Sequence, residues 1–418
     1  MPKAISKALS KALSKAVVII PTYNERDNIT KLIPILEKVF ARVKNWNLEI
    51  LVVDDTSPDG TFKEVQKMQQ SHPKLHLLIN KKKSGLGGAY LKGMEHAFGA
   101  LHADLIFEFD ADLSHDPERI PALLAEIDRG YDFVLGSRYI PGGSIPANWG
   151  WYRKFLSVGG NLFINLVMMS FAVRDWTSGY RAITKRVYDA VHLEMNRTRF
   201  SGYTFQIGFL HKALRKGFKI TEVPIHFVDR VLGHSKIGPE YIKNTLIYIL
   251  KARVEEIMTN RIFKFAVVGA AGAVVQFTTL ALFRSMMMYT LAYFLAAEMA
   301  VLSNFILSNL WTFNDRPLTF KQFPIKFLLF NGASFGSVGI QTVLAELGRR
   351  FIGDKVALFV IPLSQMILGK PFIFDTGFLF MIVGILVGMV WNFTAYTRVI
   401  WKNPDASAKN PAPATQDA

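Results

Sequence analysis

The chain contains no cysteine, which excludes a disulfide framework, thiolate-bound zinc and thiol catalysis. Acidic residues are scarce: 33 Asp+Glu face 49 Lys+Arg in 418 residues, a formal net charge of +16. Charge is thin overall, at 20% of residues, whereas 50% are apolar and 13% aromatic. A half-apolar chain can bury enough surface to offset conformational entropy, so a disordered protein is excluded. A mean hydropathy of +0.21 is too apolar for most soluble proteins, and the charge is too high for a chain lying wholly in lipid. Length points to two or three domains.

Splitting the chain at Asn260 separates the two characters. Residues 1–260 carry 36 Lys+Arg and 26 Asp+Glu, and residues 261–418 carry 13 and 7. The second part holds three uncharged runs, Phe265–Phe283, Phe327–Ala345 and Thr376–Thr397, and a fourth, Leu291–Phe313, broken only by Glu298. Runs of about 20 apolar residues cross a bilayer, so four transmembrane helices are expected, an all-α four-helix membrane domain. Val356–Gly369 is shorter and contains Pro362, which suits an interfacial or re-entrant piece. The spans read as one two-helix unit used twice: Lys264-Phe265 and Lys326-Phe327 open the first and third, and Asn304-Phe305 and Asn392-Phe393 mark the second and fourth. Basic residues near Lys251–Lys264, at Arg316, Lys321 and Lys326, and at Arg398 and Lys402 favour a cytoplasmic position for that side, and Arg349, Arg350, Lys355 and Lys370 oppose it. Lys3, Lys7, Lys11 and Lys15 recur every four residues ahead of a stretch too short for a signal peptide; a basic helix on anionic lipid and a solvated end both fit.

From Val17 apolar strand-like runs (Val17–Ile20, Ile50–Val53, Leu75–Ile79, Leu105–Phe109, Phe133–Leu135, Ile220–Val223) alternate with helical stretches, which predicts a mostly parallel α/β sheet. Ligands in such sheets bind beyond the carboxyl ends of the strands. Polar clusters sit there: Pro21-Thr-Tyr-Asn-Glu25, Asp54-Asp-Thr-Ser-Pro-Asp-Gly60 and Asp110-Ala-Asp-Leu-Ser114. Asp110 and Asp112 are spaced to face one hard cation whose shell a diphosphate completes, as Mg²⁺ or Mn²⁺ requires. An isolated Asp-x-Asp is usually a solvated turn; here the strand end and the neighbouring Asp54, Asp55 and Asp59 favour a site. Ser84-Gly-Leu-Gly-Gly-Ala-Tyr90 follows the third strand and lacks a third glycine in register, so it reads as a helix start near a diphosphate, not an NAD site.

With these motifs in order, the first 260 residues resemble the dolichyl-phosphate mannose synthases, inverting enzymes of the glycosyltransferase-A fold. The resemblance rests on Pro21-Thr-Tyr-Asn-Glu25, Val53-Asp-Asp-Thr-Ser-Pro-Asp-Gly-Thr61, Asp110-Ala-Asp-Leu-Ser-His115, Gly136-Ser-Arg-Tyr139, Tyr152-Arg-Lys154 and Arg230-Val-Leu-Gly-His-Ser-Lys236. The membrane part is similar to GtrA-like four-helix domains. The resemblance implies that Pro21, Tyr23, Glu25, Asp54 and Asp59 hold the nucleotide and that Asp110 and Asp112 meet metal and diphosphate. It implies that Arg138, Arg153 and Ser157 bind the lipid phosphate, and that Arg230 and Lys236 close over the diphosphate. Two positions depart: Gly208 stands where the family often has an acidic residue, and Trp176 where proline is frequent.

The implied organisation is a basic extension (1–15), a catalytic domain (16–240), a linker helix (241–260), a four-span domain (261–402) and a disordered tail (403–418). Phe155–Val173 is long enough to span, yet crossing there would part Asp110 from Arg230. Ser157, Asn161 and Asn165 form a polar stripe, so an interfacial helix over 155–173 is expected, with its apolar face in lipid. A phosphate monoester is already ionised near neutral pH and needs cations more than a base, a role suited to Arg138 and Arg153. The expected reaction is mannose transfer from GDP-mannose to dolichyl or polyprenyl phosphate at the cytoplasmic face of the bilayer. UDP-glucose as donor, or a scaffold moving a lipid-linked sugar, are the alternatives. No Trp follows an Arg, so the Gln-x-x-Arg-Trp signature of processive synthases is absent. Basic residues flank apolar helices and no recognition motif occurs, so nucleic-acid binding is rejected.

Overall fold

The computed structural model describes residues 13–81, 83–196, 204–229, 239–353, 356–360 and 373–402. They fall into two compact units, Met1–Arg253 and Val254–Ala418.

In the first unit β1 (Ser14–Thr22), β2 (Trp46–Asp54), β3 (Leu75–Ile79), β4 (Leu105–Glu108), β5 (Phe133–Ser137), β6 (Arg181–Thr184) and β7 (Ile220–Pro224) form one sheet, ordered β3-β2-β1-β4-β6-β5-β7. All pairings are parallel except those of β6, which runs against β4 and β5. β1 begins before the expected domain start at 16: Ser14 is in register with Trp46, Lys15 N donates to Asp104, and the Lys15 ammonium pairs with Glu49. Alternation along β1 feeds two cores. Val17 and Ile19 join the side chains of α3 (Gly85–Gly99), α6 (Lys185–Asn196) and α7 (Thr204–Arg215). Ala16, Val18 and Ile20 join those of α1 (Arg26–Phe40) and α4 (Ile120–Asp128). The sheet grows from β1 to β2 and β3 on one side and resumes at β4 on the other, which makes the β1/β4 carboxyl edge the topological switch where ligands bind.

The predicted helix over 155–173 is α5, Trp151–Met168, ended by Met169 in the left-handed conformation (φ 48°). It buries a mixed face, in which Ile164 and Met168 join the core beside two amides, and leaves a second, apolar face outward. Asn161 and Asn165 are buried, whereas Phe155, Val158, Leu162 and Leu166 are exposed. The buried amides have a job: Asn161 Oδ1 accepts from Trp176 N at 2.8 Å, and Asn165 Oδ1 accepts from Trp176 Nε1 at 2.6 Å. The expected linker over 241–260 is part of α8 (Pro239–Thr259), which straddles the division between the units after Arg253.

The second unit contains α9 (Arg261–Phe283), α10 (Tyr289–Leu307), α11 (Phe323–Phe351) and α12 (Thr376–Ala395), each in a stretch long and apolar enough to span a membrane. Asn260 caps α9 through Ile262 N and Phe263 N. The sequence repeat has a structural counterpart. α10 and α12 each run into a π turn, Ser308–Thr312 and Tyr396–Ile400, closed by Phe313 N to Ser308 O and Trp401 N to Tyr396 O at 2.8 Å each. Lys264 Nζ donates to Trp311 O at 3.4 Å and Lys326 Nζ to Val399 O at 2.8 Å, so each hairpin's opening lysine satisfies a terminal carbonyl of its second helix. Phe313 stacks on Trp401 at 4.4 Å and joins the two copies. Glu298, the lone charge in its run, accepts from Asn331 Nδ2 at 2.8 Å. Ala357–Val360 of the expected interfacial piece is a strand paired with Ile373–Asp375; residues 361–369, like the tail from 403 and residues 1–12, lie outside the described residues.

Candidate active site

The loops after β1 and β2 are laced together. Asn24 N donates to Ser57 Oγ, Glu25 N to Thr61 Oγ1, and Arg26 N to Asp59 Oδ2. Asp54 is fully buried, with Oδ2 accepting from Thr22 Oγ1 (2.9 Å) and Ser57 Oγ (2.6 Å), and Oδ1 from Ser57 N (2.8 Å). Its role in the fold is to shape the loop that follows β2. Asp59 receives Thr61 N and Oγ1, and these bonds with Arg26 N outweigh burial and hold its carboxyl below the usual range. Pro21, Tyr23 and Glu25 are half-buried on the rim, with the Lys83 ammonium 3.5 Å from the centre of the Tyr23 ring. Asp55 takes Ser84 N at 3.0 Å and Ser84 Oγ at 3.2 Å, and so fixes the start of α3. The glycine-rich stretch is thus a helix start, as its sequence suggests.

Asp110 and Asp112 follow β4 at the switch edge. Tyr90, fully buried in α3, donates its hydroxyl to Asp110 Oδ1 at 3.1 Å. Asp110 N donates to His115 Nδ1 at 3.1 Å, which leaves the proton on Nε2, 3.8 Å from Asp110 Oδ2. His115 is held between the edge of Phe109 and the face of Tyr180. Asp112 Oδ1 accepts from both Ser114 N (3.1 Å) and Ser114 Oγ (2.6 Å). Asn24, Thr56 and Leu113, one in each acidic loop, have positive φ (60°, 56°, 63°), backbone strain of the kind found at binding sites.

Arg138 follows β5, which runs parallel to β4 through β6, so it reaches the same edge. Its guanidinium is paired two-pronged with the buried Asp175, Nε to Oδ2 and Nη2 to Oδ1 at 2.7 Å each, and Nη2 also reaches Thr177 Oγ1. Burial raises the Asp175 pKa, but Arg138 overrides it and holds the carboxyl below its usual range. Arg153 lies 3.8 Å from the Trp149 ring and pairs with Asp229 at 3.1 Å. Ser157 bonds the Tyr139 hydroxyl. Arg230 and Lys236 lie outside the described residues.

Sequence reading missed Tyr90, His115 and Asp175 as supports. Tyr90 and His115 stood inside quoted motifs; Asp175 gave no local signal, since its partner is 37 residues away. It also missed β6, whose Arg181 is fully buried and donates to Ser178 O, Gln206 O and Trp176 O. These bonds hold the turn in which Gly179 faces Asp110; a Cβ on Gly179 would stand 3.7 Å from Asp110 Oδ2. Behind Asp110, burial pushes the Glu108 carboxyl up to about 7 against the pull of Arg181.

Residues 17–190 match the family model "Glycosyl transferase family 2", and residues 264–401 match "GtrA/DPMS, transmembrane domain". The chain is 36% identical over 308 residues to a dolichol-phosphate mannosyltransferase of Pyrococcus furiosus, covering 71% of this chain and 81% of that one. A polyprenol monophosphomannose synthase of Mycolicibacterium smegmatis is 37% identical over 56% of this chain and 84% of its own. An undecaprenyl-phosphate mannosyltransferase of Micrococcus luteus is 36% identical over 56% and 92%. The acidic switch edge, the arginine beyond β5 and these relatives agree: the chain belongs to the polyprenyl-phosphate mannose synthases, with a family 2 glycosyltransferase unit joined to a GtrA-type membrane domain.

Proposed function

We propose that the enzyme draws mannose from GDP-mannose, inverts its configuration on transfer to a dolichyl or other polyprenyl phosphate, and works on the cytoplasmic face. The observation that carries this is the shared edge, where Asp110 and Asp112 follow β4 and Arg138 follows the parallel β5. The donor diphosphate and the acceptor phosphate are both anions; Asp110 and Asp112 would hold a divalent cation that supplies charge for the first, and Arg138, two strands away on the same edge, would supply charge for the second.

The residues fit a divalent ion, Mg²⁺ or Mn²⁺. The donors at Asp110 and Asp112 are carboxylate oxygens, the ligands these hard cations take alongside substrate phosphates. Such an ion supplies positive charge to the departing diphosphate. Tyr90 and Ser114 orient Asp110 and Asp112 for it. Tyr23 and Pro21 offer apolar faces to the nucleobase, with Glu25 and the Asp54-shaped loop beside them. Arg138 and Arg153, with Ser157, receive the acceptor phosphate, whose ionised oxygen attacks without a strong general base. Motif resemblance gives Arg230 and Lys236 the diphosphate. The outward apolar face of α5 suits a helix lying in the lipid surface, where a polyprenyl chain emerges.

The test is radiolabel transfer in liposomes to a short polyprenyl phosphate, comparing GDP-mannose with UDP-glucose in Mg²⁺ or Mn²⁺. Label from GDP-mannose alone, lost in Asp112→Ala, is expected. Label from UDP-glucose alone overturns the donor, and transfer that survives Asp112→Ala overturns the metal site.

A further inference from the structure

Arg138 enters the site already committed to a partner. Asp175 takes it at three points: Oδ2 accepts from the backbone N at 3.1 Å and from Nε at 2.7 Å, and Oδ1 from Nη2 at 2.7 Å. The orientation of the guanidinium plane is therefore set before any phosphate arrives. A lysine at this place would be a point charge on a flexible stem; the Arg–Asp pair fixes the guanidinium plane in one orientation.

Asp175 is itself located from two sides. Glu222 in β7 accepts from Arg174 N and Asp175 N at 3.0 Å each. On the other side Trp176 is tied to α5 twice, by its backbone N to Asn161 and its indole N–H to Asn165. A proline, frequent at this position in the resembling synthases, could make neither bond because it has no backbone N–H and no indole. The same helix reaches Tyr139, next to Arg138, through Ser157. The helix with the outward apolar face thus fixes both flanks of the arginine.

We propose that Asp175 is a positioning residue of the transferase, acting on the acceptor phosphate only through Arg138, and that Trp176 sets its place by its two bonds to α5. The inference rests on the reading of Arg138 as the acceptor clamp. A purely structural ion pair predicts something different: loss of stability and of both substrates' affinities together.

The experiment uses the full chain in liposomes with GDP-mannose and polyprenyl phosphate, and measures both KM values, kcat and thermal melting for Asp175→Asn, Arg138→Gln, their double variant and Trp176→Phe. Asp175→Asn is expected to raise the acceptor KM about tenfold and to leave the donor KM within about twofold. The double variant is expected to match Arg138→Gln alone, because a residue acting through another adds nothing once that one is gone. Trp176→Phe keeps the ring and the backbone bond but loses the indole bond, and is expected to raise the acceptor KM about threefold. An unchanged acceptor KM in Asp175→Asn overturns the proposal, as does a double variant far worse than Arg138→Gln, or a joint rise of both KM values with a lower melting temperature. Absence of transfer in the wild type, or an unchanged acceptor KM in Arg138→Gln, overturns the functional reading and this inference with it.

Discussion

At Asp110 and Asp112 the carboxylates are oriented by neighbours as much as by their own backbone: Tyr90 reaches one, Ser114 the other, and His115 accepts from the backbone N of Asp110. Removing Asp112 by substitution to Ala is expected to lower kcat by about two orders of magnitude or more, checked by lipid labelling. Tyr90→Phe leaves the core filled but removes the bond to Asp110, so the apparent affinity for Mn²⁺ in a metal titration of activity is expected to fall about tenfold. Glu108 gives a pH signature. Its carboxyl, ordinarily 4.5, sits at about 7 in the fold. The folded state therefore keeps a proton that the unfolded chain releases, and stability falls as pH rises through that window. Between pH 5 and 7.5 the wild type is expected to lose about 2 kcal/mol relative to Glu108→Gln, read from denaturant midpoints with chelator present.

Among the elements, α5 separates two jobs by face. Its two amides are spent on Trp176, Ile164 and Met168 join the core, and on the opposite face Phe155, Val158, Leu162 and Leu166 are exposed. Placing charge there, as Leu162→Glu with Leu166→Glu, should leave melting unchanged because both positions are exposed. The KM for a long-chain acceptor in liposomes should rise about tenfold, while a short acceptor in detergent is unaffected. In the membrane unit α9 and α10 touch closely at Gly272, where an added Cβ would meet Asn304 Oδ1 at 2.3 Å. Gly272→Ala is expected to destabilise the unit by about 1–3 kcal/mol, and Asn304→Ala in the same chain to restore most of it, as thermal melting in detergent would show.

For the whole molecule, the membrane helices set sidedness: α9 to α12 alternate direction if each crosses, so the turns at Ser285 and Gly353 share one side, and Asn314 and Lys402 the other. The natural absence of cysteine makes this directly testable. Single cysteines at Ser285 and Gly353 are expected to label with an impermeant maleimide from one face of sealed vesicles, and those at Asn314 and Lys402 from the opposite face. Labelling of Ser285→Cys and Asn314→Cys from the same face would show that α10 does not cross.

Sequence by itself determined the parts whose physics is local. Apolar runs named β1 to β5 and β7, since a buried parallel strand needs continuous apolar residues, and apolar length marked the membrane helices once the polar stripe had set 155–173 apart. Motifs at strand ends gave Asp110 and Asp112 as candidates because a carboxyl edge is a place the chain itself specifies, whereas Arg138 came from the family resemblance. The polar stripe of α5 was visible as spacing, but only the fold turned it inward, because Trp176 supplied the donors its amides needed. β6 escaped notice because it is four residues long and begins with an arginine whose burial depends on carbonyls from Trp176, Ser178 and Gln206. Asp175 escaped for the same reason: pairing across 37 residues leaves no pattern in a linear chain, and the partner of a buried charge is chosen by tertiary structure, where desolvation makes an unpaired one too costly.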